Sequence, residues 1–267
     1  MTSVRRLAAV LLASIYAVCL CGGWIAPFDY ARQFRDSVSA APSALHPLGT
    51  DELGRDSLSR LIYASRVSLL LAPAAALWAT AIAALLGGVA GYCGGAVETI
   101  AMKATDLVLS LPWLFLLLIV RARMPLSMPP WQTIVITFTL LGSFGWAGAA
   151  RVICAAAGSL RASDALLHAK AYGCPRWRLF AVHVLPNLRS ILLAQFLILI
   201  PVFILSEGNL GVLGLGVGEP LPSWGNLLRE LANLPAVAER PWMLAPLAVF
   251  AMVTGCFYLL TSPGDYA

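Results

Sequence analysis

Long apolar runs separated by short polar stretches dominate the chain, at residues 7–25, 67–89, 105–120, 131–150, 188–205 and 242–260. A helix needs about 20 apolar residues to cross a bilayer, so the pattern predicts about six transmembrane helices. The run at 105–120 is the weakest, because Lys103, Asp106 and Pro112 interrupt it. The first run follows a short basic head ending at Arg6, as a signal peptide would. It is long for such a segment, however, and Gly-Gly-Trp follows it in place of a small-x-small cleavage site, so an uncleaved first helix is expected.

Between the first two runs, residues 27–66 are polar and punctuated by Pro27, Pro42 and Pro47. From Asp56 onward Leu58, Leu61 and Ile62 alternate with Ser59, Arg60 and Tyr63, which predicts an amphipathic interfacial helix leading into the second span. Within that span Ala83, Gly87, Gly91 and Gly95 recur every fourth residue. Such a small-residue ridge lets another helix approach closely, either within the chain or from another subunit. The expected division is an N-terminal part, 1–66, holding the first helix and an extracytoplasmic segment, and a transmembrane core, 67–267.

Composition supports the membrane reading. Of 267 residues 60% are hydrophobic and only 12% charged, and the mean hydropathy is +0.81. A soluble domain carries about a quarter charged residues. The net charge of +5 does not indicate nucleic acid, since no basic face interleaved with aromatic residues occurs. Its distribution reports orientation instead. With the N-terminus in the cytoplasm, the stretch 151–189 is also cytoplasmic, carrying Arg151, Arg161, Lys170, Arg176, Arg178 and Arg189 against Asp164 alone. Residues 27–66 then lie outside, with five arginines balanced by five carboxylates. The net acidic set Glu219, Arg229, Glu230, Glu239 and Arg240 also lies outside, and only Arg121 and Arg123 run against the scheme. Both termini are expected in the cytoplasm of a multi-pass inner (plasma) membrane protein.

Catalytic chemistry is hard to place. The only lysines, Lys103 and Lys170, follow no phosphate-binding loop, so ATP hydrolysis by this chain is not expected. No H-E-x-x-H occurs, and His46, His168 and His183 all lie outside the apolar runs, which removes an intramembrane Ser-His pair. Gly211, Gly214, Gly216 and Gly218 miss the spacing of a dinucleotide loop. The six cysteines are scattered without disulfide or zinc spacing. No cofactor, metal or catalytic residue is therefore expected, and His46, Asp51 and Glu52 are read as a turn with a solvated charge pair. Two charges stand in or beside apolar runs, where they should face protein or water. Asp106 has Lys103 one helical turn earlier as a partner. Glu207 either lines a translocation path or reaches the interface from a helix end.

The longest polar stretch of the C-terminal two thirds is 151–189. From Ser163 onward Leu166, Leu167, Lys170 and Ala171 suit a short surface helix, which Gly173 and Pro175 terminate. A second helical start follows, with Trp177, Phe180, Ala181 and Val184 as its apolar face, before Pro186-Asn187 breaks the chain. Two short helices around a glycine turn make a compact basic knob, which is either a topogenic loop or a docking element.

This stretch resembles the cytoplasmic motif of permease subunits of binding-protein-dependent ABC importers, E-A-A-x-x-x-G followed after nine residues by I-x-L-P. Gly173 is followed after nine residues by His183-Val184-Leu185-Pro186, and Leu167-His168-Ala169 occupy the Glu-Ala-Ala positions, keeping only the last alanine. Two further blocks resemble the dipeptide/oligopeptide/nickel branch of that family. They are H-P-L-G-T-D-E-L-G-R-D-S-L-S-R-L-I-Y-A-S-R-V-S-L from His46 and L-G-L-G-V-G-E-P-L-P-S-W-G-N-L-L from Leu213. The resemblance implies an all-α membrane protein of the type I importer permease class. It would pair in the bilayer with a second, identical or homologous permease, receive peptides or peptide-like solutes from an extracytoplasmic solute-binding protein, and couple to ABC ATPase subunits. Leu167, His168, Ala169, Gly173, Leu185, Pro186 and Asn187 would then form the ATPase-coupling loop, and Glu207 would line the path. Three departures from the family pattern stand out: Leu167 in place of glutamate, a short Arg- and Pro-rich loop after Val120, and an ending at 262–267 without a charged tail. The alternatives are an ion-gradient-driven secondary transporter, which calls for repeats and midplane carboxylates not seen here, or a divergent, uncoupled membrane subunit.

Overall fold

A computed structural model describes residues 3–125 and 128–261, with the side chains at 113, 114, 165 and 167 outside that description. In chain order the α-helices are α1 (Ser3–Leu20), α2 (Gly22–Ile25), α3 (Ser57–Cys93), α4 (Gly95–Ser110), α5 (Trp113–Arg123), α6 (Pro130–Phe144) and α7 (Ala147–Arg161). They continue as α8 (Asp164–Ala171), α9 (Arg176–Leu179), α10 (Leu185–Asn187), α11 (Arg189–Val212), α12 (Trp224–Glu230), α13 (Leu234–Glu239) and α14 (Ala245–Thr261). Among the described residues the only β pairing is two isolated bridges, Gln33–Arg55 and Thr50–Asp56.

Among the described residues five segments are long and apolar enough to span a membrane: α1, α3, α6 with α7, α11, and the stretch Pro241–Thr261. The weak third run becomes a sixth only as a broken span, α4 and α5, bent by 70°. The break falls at Leu111-Pro112, where Pro112 has no N–H to continue the helical ladder. The sequence-based run ending at Ala150 is too short. Ala147, Ala149, Ala150, Ala155, Ala156 and Ala157 are strong helix formers, and α7 continues to Arg161, so the first part of the polar stretch is helix.

The chain forms two compact units, neither contiguous: residues 1–72, 120–138 and 200–267 in the first, and 73–119 and 139–199 in the second. In the first unit α1 packs on α14, and Leu69, Ile204, Leu210, Trp224 and Val253 are buried. The interfacial helix expected from Asp56 is the first part of α3, which runs unbroken to Cys93. Its polar residues Ser59, Arg60 and Ser65 are buried along with Leu61 and Ile62. It is therefore not a one-sided amphipathic helix, because its polar side is covered by protein rather than water. At 37 residues and 1.5 Å per residue, α3 is roughly 55 Å long, well over the ~30 Å hydrocarbon core.

In the second unit the small-residue face of α3 packs against α7 of the same chain. Ala76, Ala79 and Ala83 are fully buried. A Cβ added at Gly87 would stand 2.2 Å from the Ala150 carbonyl oxygen, and one at Gly91 would stand 2.1 Å from that of Cys154. The fourth residue of the ridge, Gly95, faces open space. The ridge is thus an intrachain seam over Gly87 and Gly91. Gly91→Val is expected to force the two backbones apart at a cost of about 1–3 kcal/mol. Gly148→Ala, with nothing within 4 Å of the new methyl group, is expected to be neutral or mildly stabilising. Thermal unfolding of the purified chain in detergent checks both, and equal midpoints for the two variants would contradict the seam.

Candidate functional site

The knob is built from α8, α9, a π turn at Phe180–Val184 and α10. Gly173 has φ +77, a left-handed conformation that glycine adopts without steric cost. Its N–H donates to the Lys170 carbonyl at 3.0 Å and that of Cys174 to the Ala169 carbonyl at 3.3 Å, the paired bonds that close a helix at a left-handed residue. Pro175 then starts α9. The knob is anchored to α3 by the Tyr92 hydroxyl, which donates to the Arg176 carbonyl at 3.1 Å, and by the Tyr92 and Phe180 rings, 5.6 Å apart. Among the described residues here, Leu166, Leu179, Val184 and Leu188 are buried. The apolar face expected on the second helix is therefore rotated: Trp177 is 72% exposed and Ala181 is exposed too, while Tyr172 at the glycine turn is 91% exposed.

Several expected coupling residues share this knob. His168 is exposed on α8, and Ala169 supplies the terminal carbonyl bond. Leu185, Pro186 and Asn187 are exposed at the exit, where the Asn187 side-chain amide donates to the His183 carbonyl at 2.6 Å. Leu167 lies on α8, but its side chain is outside the described residues, as are the tail residues 262–267. Asp106 does not use Lys103: it pairs with Arg151 of α7 at 3.0 Å, because α4 packs on α7 along its length. Glu98 and Arg161 form a second, looser pair at 3.8 Å between the same helices.

A second constellation lies in the first unit, and sequence reasoning missed it. Asp51, whose side chain is 9% exposed, accepts from Arg55 Nε at 2.7 Å, from Arg60 Nη1 at 2.7 Å and from the backbone N–H of Leu53 and Arg55. Arg60 also pairs with Glu230 at 2.8 Å and with Glu219 at 3.6 Å, and Arg55 donates to Glu219. Burial pushes the Glu230 carboxyl up from its ordinary value, opposed by the Arg60 charge. His46 is buried too, bonded to Asp56 at 2.9 Å and flanked by the Phe28 and Phe34 rings. The expected solvated turn is therefore wrong for His46 and Asp51. Only Glu52, with a 64% exposed side chain, fits it. No group of residues suited to a metal occurs among the described residues. The available signal was the pair of long motif blocks, from His46 and from Leu213. Arg55–Glu219 and the Trp224 indole N–H donating to Ser65 at 2.9 Å tie those blocks together.

Glu207 on α11 is 1% exposed. Its Oε2 accepts from the Gly225 N–H at 3.3 Å and from the Ser68 hydroxyl at 3.4 Å, while Oε1 is buried without a hydrogen bond. Beside it the backbones of Gly211 and Gly225 touch, so closely that an added Cβ at Gly211 would stand 2.2 Å from Gly225. Enclosed in this way, the carboxylate does not reach the interface.

Residues 83–262 match the family described as Binding-protein-dependent transport system inner membrane component. The chain belongs to that family. Similar proteins include the dipeptide transport system permease protein DppC of Bacillus subtilis, 32% identical over 87% of this chain and 70% of the relative. The oligopeptide transport system permease protein OppC of Haemophilus influenzae is 31% identical over 92% of this chain and 77% of the relative. OppC of Mycobacterium tuberculosis is 30% identical over 95% and 85%. Membership makes the chain a multi-pass membrane permease with the all-helical fold of type I ABC importers. The matched region holds the whole knob, the α3–α7 seam from Ala83 onward and the Gly211–Gly225 contact.

Proposed function

We propose that this chain is one of two membrane-spanning subunits of an ATP-driven importer of peptides or peptide-like solutes, and that the knob at 163–187 couples it to a separate ATPase. The relatives' names support the solute class. The exposed aromatic pair Tyr172, at the glycine turn, and Trp177, on α9, supports the coupling role. Large aromatic side chains left open on a polar cap are what a protein partner covers, and such residues are enriched among those that carry binding energy. The basic excess of the stretch favours a cytoplasmic knob with both termini on the same side. A second permease, identical or homologous, completes the path, and an extracytoplasmic binding protein delivers the solute. Glu207 meets that path only when α12, which carries Gly225, moves, because its first turn encloses the carboxylate here.

The test is co-purification of the chain with the ATPase subunits of its transport system. Gly173→Val puts a β-branched side chain at φ +77, strained whatever the space, although nothing lies within 4 Å of the position. Wild type is expected to retain the ATPase, Gly173→Asn to retain most of it, and Gly173→Val to lose it while the membrane helices stay folded. Failure of wild type to bind any such ATPase would overturn the coupling role and favour an uncoupled membrane subunit.

A further inference from the structure

A cavity of about 700 Å³ lies in the first unit, lined by residues of the 48–60 and 219–246 stretches. Small-molecule sites typically measure roughly 300–1,000 Å³. Three kinds of group line it. Leu53, Trp242 and Met243 supply apolar surface. The carboxylates of Asp51, Glu219 and Glu230 share only two guanidinium groups, those of Arg55 and Arg60, which leaves one negative charge in excess. Glu219 is the most open of the three, with 52% of its side chain exposed. Arg229 lines the same cavity, exposed, and its guanidinium forms no ion pair among the described residues.

Arg60 adds an independent indication. It is buried at the cavity wall, and its Nε and Nη2 make no hydrogen bond, Nη2 having only the long 3.6 Å ionic contact to Glu219. Buried donors without an acceptor are rare in folded proteins, and a water or a ligand oxygen completes them. The cavity therefore asks for a cationic group, an anionic group, a hydrogen-bond acceptor and apolar bulk at once. A short peptide with free termini has all four.

We propose that this cavity is a reception site on the permease itself for short zwitterionic peptides, with Glu219 taking the ammonium group, Arg229 the carboxylate and Arg60 a peptide carbonyl. The proposal rests on the transport reading above, because it names how that solute is held after delivery.

The permease, purified with its partner subunits in lipid nanodiscs and without binding protein, is titrated calorimetrically with alanyl-alanine and with the N-acetylated, C-amidated form of that dipeptide. Saturable binding of the free dipeptide is expected, weakened about tenfold or more by blocking the termini or by Arg229→Gln, as loss of a charge-assisted bond predicts. Arg229→Lys is expected to restore part of it. Because Arg229 is exposed and forms no ion pair among the described residues, these variants should unfold at the wild-type temperature. Absence of saturable binding by wild type overturns the proposal, as does binding indifferent to both the blocked termini and Arg229→Gln. Cross-linking of Arg229→Cys to the binding protein, without dipeptide binding, overturns it in favour of a docking surface. Uptake of labelled dipeptide by cells is measured in parallel. Uptake without binding removes the cavity proposal alone, whereas no uptake by the complete wild-type system removes the transport reading.

Discussion

Arg60→Ala is expected to destabilise the permease by roughly 3–5 kcal/mol, the usual cost of removing one partner from a buried ion pair. Arg60 is enclosed and meets Asp51, Glu230 and Glu219. Its loss strands the Glu230 carboxylate, which burial has already made costly to ionise. The truncation also leaves a void where the fully buried side chain stood, which adds to the penalty. The charge effect is separable by a double variant. If stranding dominates, Arg60→Met with Glu230→Gln should recover a large part of the loss, whereas Arg60→Met alone should not. Thermal unfolding in detergent reads all three. A single Arg60→Ala variant as stable as wild type would mean that the network carries no weight. Loss in the double variant equal to that in Arg60→Met would mean that packing, rather than charge, is what Arg60 provides.

Trp177→Asp is expected to reduce solute uptake by an amount on the order of tenfold to a hundredfold, with little change in stability. Removing a central aromatic anchor from a protein interface costs about 2 kcal/mol or more, and an acid adds the cost of burying an unpaired charge there. The side chain is 72% exposed in the chain alone, so its replacement leaves no cavity. The buried anchors of the knob, Leu179, Val184 and Leu188, are untouched. The discriminating readout is the dependence of ATP hydrolysis on the assembled transporter, measured with uptake and with the unfolding temperature. Normal uptake by Trp177→Asp would remove the knob from the coupling role. Reduced uptake with an equally lowered unfolding temperature would mark Trp177 as a structural residue instead.

The local order of the knob was legible in sequence because its signals are local. A glycine at a helix end, a proline two residues later and a second proline before the next apolar run act within one or two turns, and the structure has α8, the left-handed Gly173 and α9 in those places. Which face of the second helix packs was not legible. Trp177 and Phe180 look alike on a hydropathy pattern, yet only Phe180 meets Tyr92, more than eighty positions earlier in the chain. Asp106 repeats the lesson. Lys103 was the nearest cation in sequence, but the contact of α4 with α7 brings Arg151 closer.

The sequence by itself determined the solvent and the family. Apolar runs of membrane-crossing length admit few structures other than helices, since every backbone group must be paired within the segment. The glycine-to-proline spacing and the two motif blocks then carry the resemblance. Only the tertiary structure decided where the polar residues of those blocks go. A charge in a short polar segment is equally acceptable in water or in a satisfied network, and the choice depends on partners supplied by a distant part of the chain. Arg55 and Glu219 are separated by 164 positions. Hydropathy sums local preference and carries no information about such a meeting. The segment around 46–60 therefore reads as a solvated turn and folds as a largely buried cluster of ion pairs, because the Leu213 block closes over it.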